Sequence, residues 1–113
     1  MNAIAGTVRD LNERADLSQE EIGRITGATG RTVARWAAGA TSPHASARER
    51  LLELKYVADQ LIDVLGLSPP DANLWIFTPN RLLKGDKPAD RIANSGYRAV
   101  LGLIEALADG IVA

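Results

Sequence analysis

The 113-residue chain contains no cysteine, one histidine (His44), one methionine and only five aromatic side chains. Without cysteine there are no disulfides and no thiolate metal ligands, and a single histidine cannot supply a metal site or a conventional nucleophilic triad without unusual partners. The acids Asp86, Asp90 and Asp109 are scattered on separate segments, and none is paired for acid–base work. No catalytic residue, cofactor or metal is therefore expected, and the chain does not read as an enzyme. No apolar run approaches the roughly 18 residues a membrane span needs, and the N-terminus has no basic flank followed by an apolar block. The expectation is a cytoplasmic protein with no membrane contact. Internal repeats and low-complexity tracts are also missing.

What is present is enough apolar surface to fold: 46% hydrophobic and 24% charged residues are ordinary globular values. At this length the chain fits one domain, or a small module fused to a second unit that shares its core. Net charge is −1, but its distribution is uneven. Between residues 24 and 50 stand Arg24, Arg31, Arg35, Arg48 and Arg50 against the single acid Glu49, whereas residues 51–113 hold six basic and eight acidic side chains. A local basic patch on a nearly neutral chain suits contact with phosphate on one face and another partner elsewhere.

Periodicity predicts an all-α fold. Ile4, Val8 and Leu11 form one stripe of a helix over Ala3–Arg14. Ser18 with Glu21 three residues on is a capping box that opens a helix over Gln19–Thr26. Gly27 can end that helix, and Thr29 is placed to cap another from Gly30 to Ala38, which Gly39 closes. Ser42-Pro43 reads as a cap plus first-turn proline for a long helix to Leu65, stopped by Gly66. In it Leu51, Leu54, Ala58, Leu61 and Leu65 repeat at three and four, a stripe that serves either a partner or the chain's own core. Ser68-Pro69, Thr78-Pro79 and Lys87-Pro88 each introduce a short helix, with Gly85 and Gly96 as stops. A last helix over 97–109 turns Val100, Leu101, Ile104, Leu107 and Ala108 to one face. Trp75 and Phe77 read as core.

The segment 19–38 satisfies the demands of a helix-turn-helix. The close crossing of its two helices needs a small residue four before the turn glycine, and Gly23 is there. The inward positions six and nine after Gly27 hold Val33 and Trp36, while Thr29, Gly30, Arg31, Thr32 and Arg35 face outward. With the opening Leu17-Ser18-Gln19-Glu20 the segment resembles the Xre, or phage-repressor-like, class. That resemblance implies Gln19 as a phosphate contact and Gly30, Arg31, Thr32 and Arg35 as candidate base readers. Gly30 departs from the usual long polar side chain, which shifts readout toward Arg31 and Arg35.

A second resemblance covers nearly all of residues 70–113. The run Ala72-Asn73-Leu74-Trp75-Ile76-Phe77-Thr78-Pro79-Asn80-Arg81-Leu82-Leu83, then Lys87-Pro88-Ala89-Asp90, Tyr97 and 103–110 resembles the Xre/MbcA/ParS antitoxin family. It implies a type II antitoxin that holds a RES-domain, NAD-consuming toxin inactive by covering its active site and represses its own operon, as a homodimer within a larger hetero-oligomer. The toxin-binding residues it implies are Asn80, Arg81, Tyr97 and the tail Gly110, Ile111, Val112 and Ala113. A free apolar end after a flexible glycine also fits a pocket more readily than an internal loop does. The division expected is a DNA-binding unit over 1–42, a connecting or dimerisation helix over 43–66 and a toxin-binding unit over 67–113. The competing reading is a stand-alone Xre-type repressor whose C-terminal half dimerises or binds a small ligand.

Overall fold

The structure is a computed structural model that describes residues 3–110; among them it holds seven α-helices, one 3-10 turn and no strand. The helices are α1 (Ala3–Arg14), α2 (Gln19–Thr26), α3 (Gly30–Ala37), α4 (Ala45–Asp63), α5 (Pro69–Phe77), α6 (Pro88–Ala93) and α7 (Tyr97–Ala108), with the 3-10 turn over Arg81–Leu83. None is long and apolar enough to cross a membrane. The expected tail residues Ile111, Val112 and Ala113 lie outside the described residues.

Helix α4 is the shared wall of the molecule. It packs on α1 and α2 on one side and on α5, α6 and α7 on the other. Leu51, Leu54, Ala58 and Leu61 are all within 1% of complete burial, and they join Val57 in one core cluster that runs from Ile4 to Ile104. The leucine stripe is thus the chain's own core, and the large apolar side chains that α4 leaves exposed are Leu52 and Tyr56, with Val64 exposed just past its end. Ion pairs brace the outside of this wall: Arg14 reaches Asp59 and Asp63, each at 2.7 Å, and Lys55 reaches Asp59 at 2.6 Å. The hydrogen bond it donates to Asp63 holds the Arg14 guanidinium above its ordinary value, reinforced by the charges of Asp63, Asp59 and Asp10.

The first three helices have the expected bounds to within a residue, because local side-chain chemistry sets them. The Ser18 hydroxyl accepts from the Glu21 amide and the Glu21 carboxylate accepts from the Ser18 amide, both at 3.0 Å. Gly27 at φ +82° ends α2, and the Thr29 hydroxyl accepts from the Thr32 amide at 3.1 Å to start α3. At Gly23 an added Cβ would collide with the carbonyl oxygen of Ala28, so the crossing of α2 over the turn leaves room for hydrogen alone.

Three later boundaries differ from expectation. Helix α4 begins after His44, not after Ser42: the backbone stays extended through His44, whose ring Nδ1 accepts from the Ala47 amide at 3.5 Å. Thr78-Pro79 opens no α-helix. Thr78 closes α5, Asn80 caps the 3-10 turn, and left-handed Lys84 (φ +58°) followed by Gly85 (φ +87°) ends it after three residues. Gly96 is not the stop for α6. Ser95 takes the left-handed conformation at φ +68°, while Gly96 allows its own amide to approach the Arg91 carbonyl to 2.6 Å. In α7 the buried face is Val100, Leu103 and Ile104, with Leu101 and Leu107 half-buried; Ala108 is exposed.

These packing facts set opposite expectations for two glycines. Gly23→Ala should destabilise the fold by about 1–3 kcal/mol, because a backbone carbonyl must move. Gly102→Ala, in the interior of α7 with nothing near its Cα, should stabilise by about 0.5–1 kcal/mol. Urea unfolding of the two variants measures both, and equal midpoints would contradict the packing described.

Candidate functional site

The outer surface of α2 and α3 is built from two helix starts. At the first, Asn12 donates to the Leu17 carbonyl at 2.6 Å and to the Gln19 side-chain oxygen at 3.2 Å. Gln19 is half-buried, and its side-chain oxygen is held by Asn12. At the second start, Thr29 and Thr32 are tied to each other, hydroxyl to hydroxyl at 3.1 Å. Arg31 and Arg35 follow on the exposed side of α3, where Val33 and Trp36 turn inward, Trp36 only 3% exposed.

Electrostatics sharpen this surface. Among the described residues, none of the ion pairs involves Arg24, Arg31, Arg35 or Arg48, and all four are exposed. Arg50 differs from them: it is half-buried, pairs with Glu53 and Glu49, and donates to the Ser95 hydroxyl at 2.9 Å. The charge available to an anion is therefore narrower than the arginine count in the sequence implies.

Gly30 is placed differently from the other candidate readers. A Cβ there would lie 2.7 Å from Glu20 Cγ and 3.3 Å from the Glu20 Cα and amide nitrogen. It is the point where α3 rests against the first turn of α2, so it contributes closeness and not a contacting side chain. Beside α3 the structure adds a cleft of about 520 Å³, where Thr29, Thr32 and Arg35 face Thr41, Ser42 and His44 across the α3–α4 connection. The sequence reading missed this cleft because it assigned residues 43–44 to the helix.

The C-terminal candidates fall in three places. Asn80 caps the 3-10 turn by accepting from the Leu82 amide at 2.9 Å, and Arg81 next to it is exposed. Tyr97, at the start of α7, is half-buried and lines a small cleft with Glu49, Leu52, Glu53 and Tyr56 of α4. Gly110 is exposed at φ +91°, where the chain leaves α7. Trp75 and Phe77 are half-buried against the core, whereas Leu74 is 65% exposed and Leu82 47%. The sequence does not single out these two leucines, since an outward apolar residue has the same letter as an inward one.

No protein-family model matches the chain. Mycobacterial cidal antitoxin MbcA of Mycobacterium tuberculosis (strain ATCC 25618 / H37Rv) is 48% identical to it over 112 residues, covering 98% of this chain and 96% of that protein. This chain belongs to the MbcA antitoxin family. MbcA of Mycobacterium bovis matches to the same extent. Among solved structures, a chain in the crystal structure of the M. tuberculosis MbcT–MbcA toxin–antitoxin complex superposes with a TM-score of 0.87 at 46% identity, each chain being covered in full. The likeness to MbcA therefore spans both the α1–α3 unit and the helices that follow α4.

Because Gly30 meets the backbone of Glu20, Gly30→Ala is expected to cost about 1 kcal/mol. A thermal melt unchanged from the parent chain would show that the α2–α3 contact has slack.

Proposed function

We propose that this chain is the antitoxin of a type II toxin–antitoxin pair, neutralising a RES-domain, NAD-consuming toxin by covering its active site and repressing its own operon through operator DNA. The observation that carries the reading is the full-length likeness, at a TM-score of 0.87, to a chain of a toxin–antitoxin complex. A protein partner is the shared element; the RES domain and NAD follow from the sequence resemblance of residues 70–113.

The α2–α3 surface supports the DNA half of the proposal. An exposed helix bearing Arg31 and Arg35, free of acidic neighbours in ion-pair range, suits the major groove, where an arginine can donate two hydrogen bonds to guanine O6 and N7, worth about 1–3 kcal/mol of discrimination. Thr32 is a further polar contact, and Gln19 donates to a phosphate from the start of α2. Operator half-sites lie about one DNA turn, roughly 34 Å, apart, so two copies act together. The exposed Leu52 and Tyr56, one turn apart on α4, are the apolar face for that homodimer.

The toxin half is a division of labour. Asn80, Arg81 and Tyr97 dock the toxin, and residues 110–113 enter its cleft as a plug, with Gly110 as the bend that lets the tail leave α7. Occlusion and docking then use different groups.

Three outcomes test these parts. Replacing Arg31 and Arg35 with alanine should weaken operator binding by tenfold or more while leaving toxin inhibition intact; an unchanged electrophoretic shift refutes the DNA assignment. Deleting residues 110–113 should restore NAD consumption by a toxin that the truncated chain still binds. Full inhibition by the truncated chain refutes the plug, and a chain that binds operator yet inhibits no toxin is a stand-alone repressor. Finally, Leu52→Glu with Tyr56→Glu should halve the solution mass of the free antitoxin, and an unchanged mass places the dimer contact elsewhere.

A further inference from the structure

We infer that Asn73, in the C-terminal half, is a positioning residue for DNA reading: it holds the first turn of α2 in place from across the molecule. The inference rests on the DNA-binding reading above and adds a residue outside the helix-turn-helix to it.

The side chain of Asn73 lies on α5, 57 residues away in sequence from Asp16, whose carbonyl oxygen accepts a hydrogen bond from its Nδ2 at 3.0 Å. The same nitrogen donates to Glu21 Oε1 at 3.1 Å. Both acceptors are structural keys of the α1–α2 turn. Asp16 is a non-glycine residue in the left-handed conformation, at φ +54°, which carries backbone strain that neighbours must offset. Glu21 Oε1 is the oxygen that also accepts from the Ser18 amide in the capping box. One amide group thus clamps the strained turn and the cap together.

The geometry matters for function because of what stands between the two acceptors. Gln19 and Glu20 occupy the first turn of α2. Gln19 is the phosphate contact, and Glu20 is the surface on which Gly30 of α3 rests. Asn12 fixes this turn from α1, through Gln19. Asn73 fixes it from the opposite side, through Glu21. With the second hold removed, Glu21 keeps only its capping bond, the turn at Asp16 loses an anchor, and the Gln19 side chain and the seat of α3 become less well placed. A contact made only when DNA binds is sensitive to such loosening, since immobilising the turn is then added to the cost of binding.

The test combines a repulsive substitution with its rescue. Asn73→Asp sets a carboxylate against the Glu21 carboxylate and the Asp16 carbonyl. Amide hydrogen exchange at Ser18, Glu21 and Ile22, whose N–H groups bond to Glu21 Oε1, the Ser18 hydroxyl and the Ser18 carbonyl, should then accelerate at least tenfold, with exchange in α7 unchanged. Operator affinity, measured at a temperature where both proteins are fully folded, should fall by about tenfold. Adding Glu21→Gln to the same chain keeps the capping box, because glutamine also fits that position, and supplies an amide donor to the carboxylate introduced on α5. It should recover part of both exchange protection and affinity, since the bond to the Asp16 carbonyl stays lost. Asn73→Ala, which removes the bonds without adding charge, should lie between the parent and Asn73→Asp. Unchanged exchange in Asn73→Asp, or a double variant no better than the single, overturns the role. If the variants keep parental operator affinity, the role fails while the DNA reading stands. If the parent chain itself binds no operator, both fail together.

Discussion

Burial along α4 is the constraint on which the rest of the molecule depends. The three helices before it and the short helices after it contribute to one core cluster, and the 19-residue helix between them adds inward residues to that cluster along its length. Leu51, Leu54, Val57, Ala58 and Leu61 are all buried in the cluster that also holds residues of the helices before and after α4. The exposed surface of α3 and that of α5 and α7 are in this sense two outsides of one interior. A loss of packing at Leu54 is felt by both.

How much of this could be read from the letters depends on the range of the interaction. The bounds of α1, α2 and α3 were legible because capping is chemistry between residues three apart: Ser18 with Glu21, Thr29 with Thr32. The inward placement of Val33 and Trp36 and the need for a small residue at position 23 were legible for the same reason. Illegible were stops made by residues that do not advertise a left-handed conformation. Lys84 and Ser95 take it here, each inside a turn closed by a bond that runs five residues back, from the Gly96 amide to the Arg91 carbonyl at 2.6 Å and from the Gly85 amide to the Asn80 carbonyl. The leucine stripe of α4 was ambiguous in principle, since a partner helix and the chain's own helices demand the same spacing.

The candidate site shows a similar division. That Arg31 and Arg35 point outward followed from helical phase once Val33 and Trp36 were known to point in. That Arg50 is drawn away from the basic patch by Glu53, Glu49 and Ser95 required the fold, because Ser95 is 45 residues distant. The connection from Asn73 to the α2 capping box spans 52 residues and was equally invisible. Long-range polar contacts of this kind tie a surface specified locally to a scaffold specified globally.

The contact between Gly30 and Glu20 bears on how such a protein can diverge. A helix that reads DNA usually changes its target by exchanging side chains along its exposed edge, one position at a time. On α3, proposed here to read DNA, position 30 is filled by the neighbouring helix, which leaves Arg31, Thr32, Ala34 and Arg35 open to exchange. On the proposed DNA-binding reading, duplicated copies of this gene would drift toward new operators through a small set of substitutions, and related pairs in one genome would be prone to cross-talk at each other's promoters.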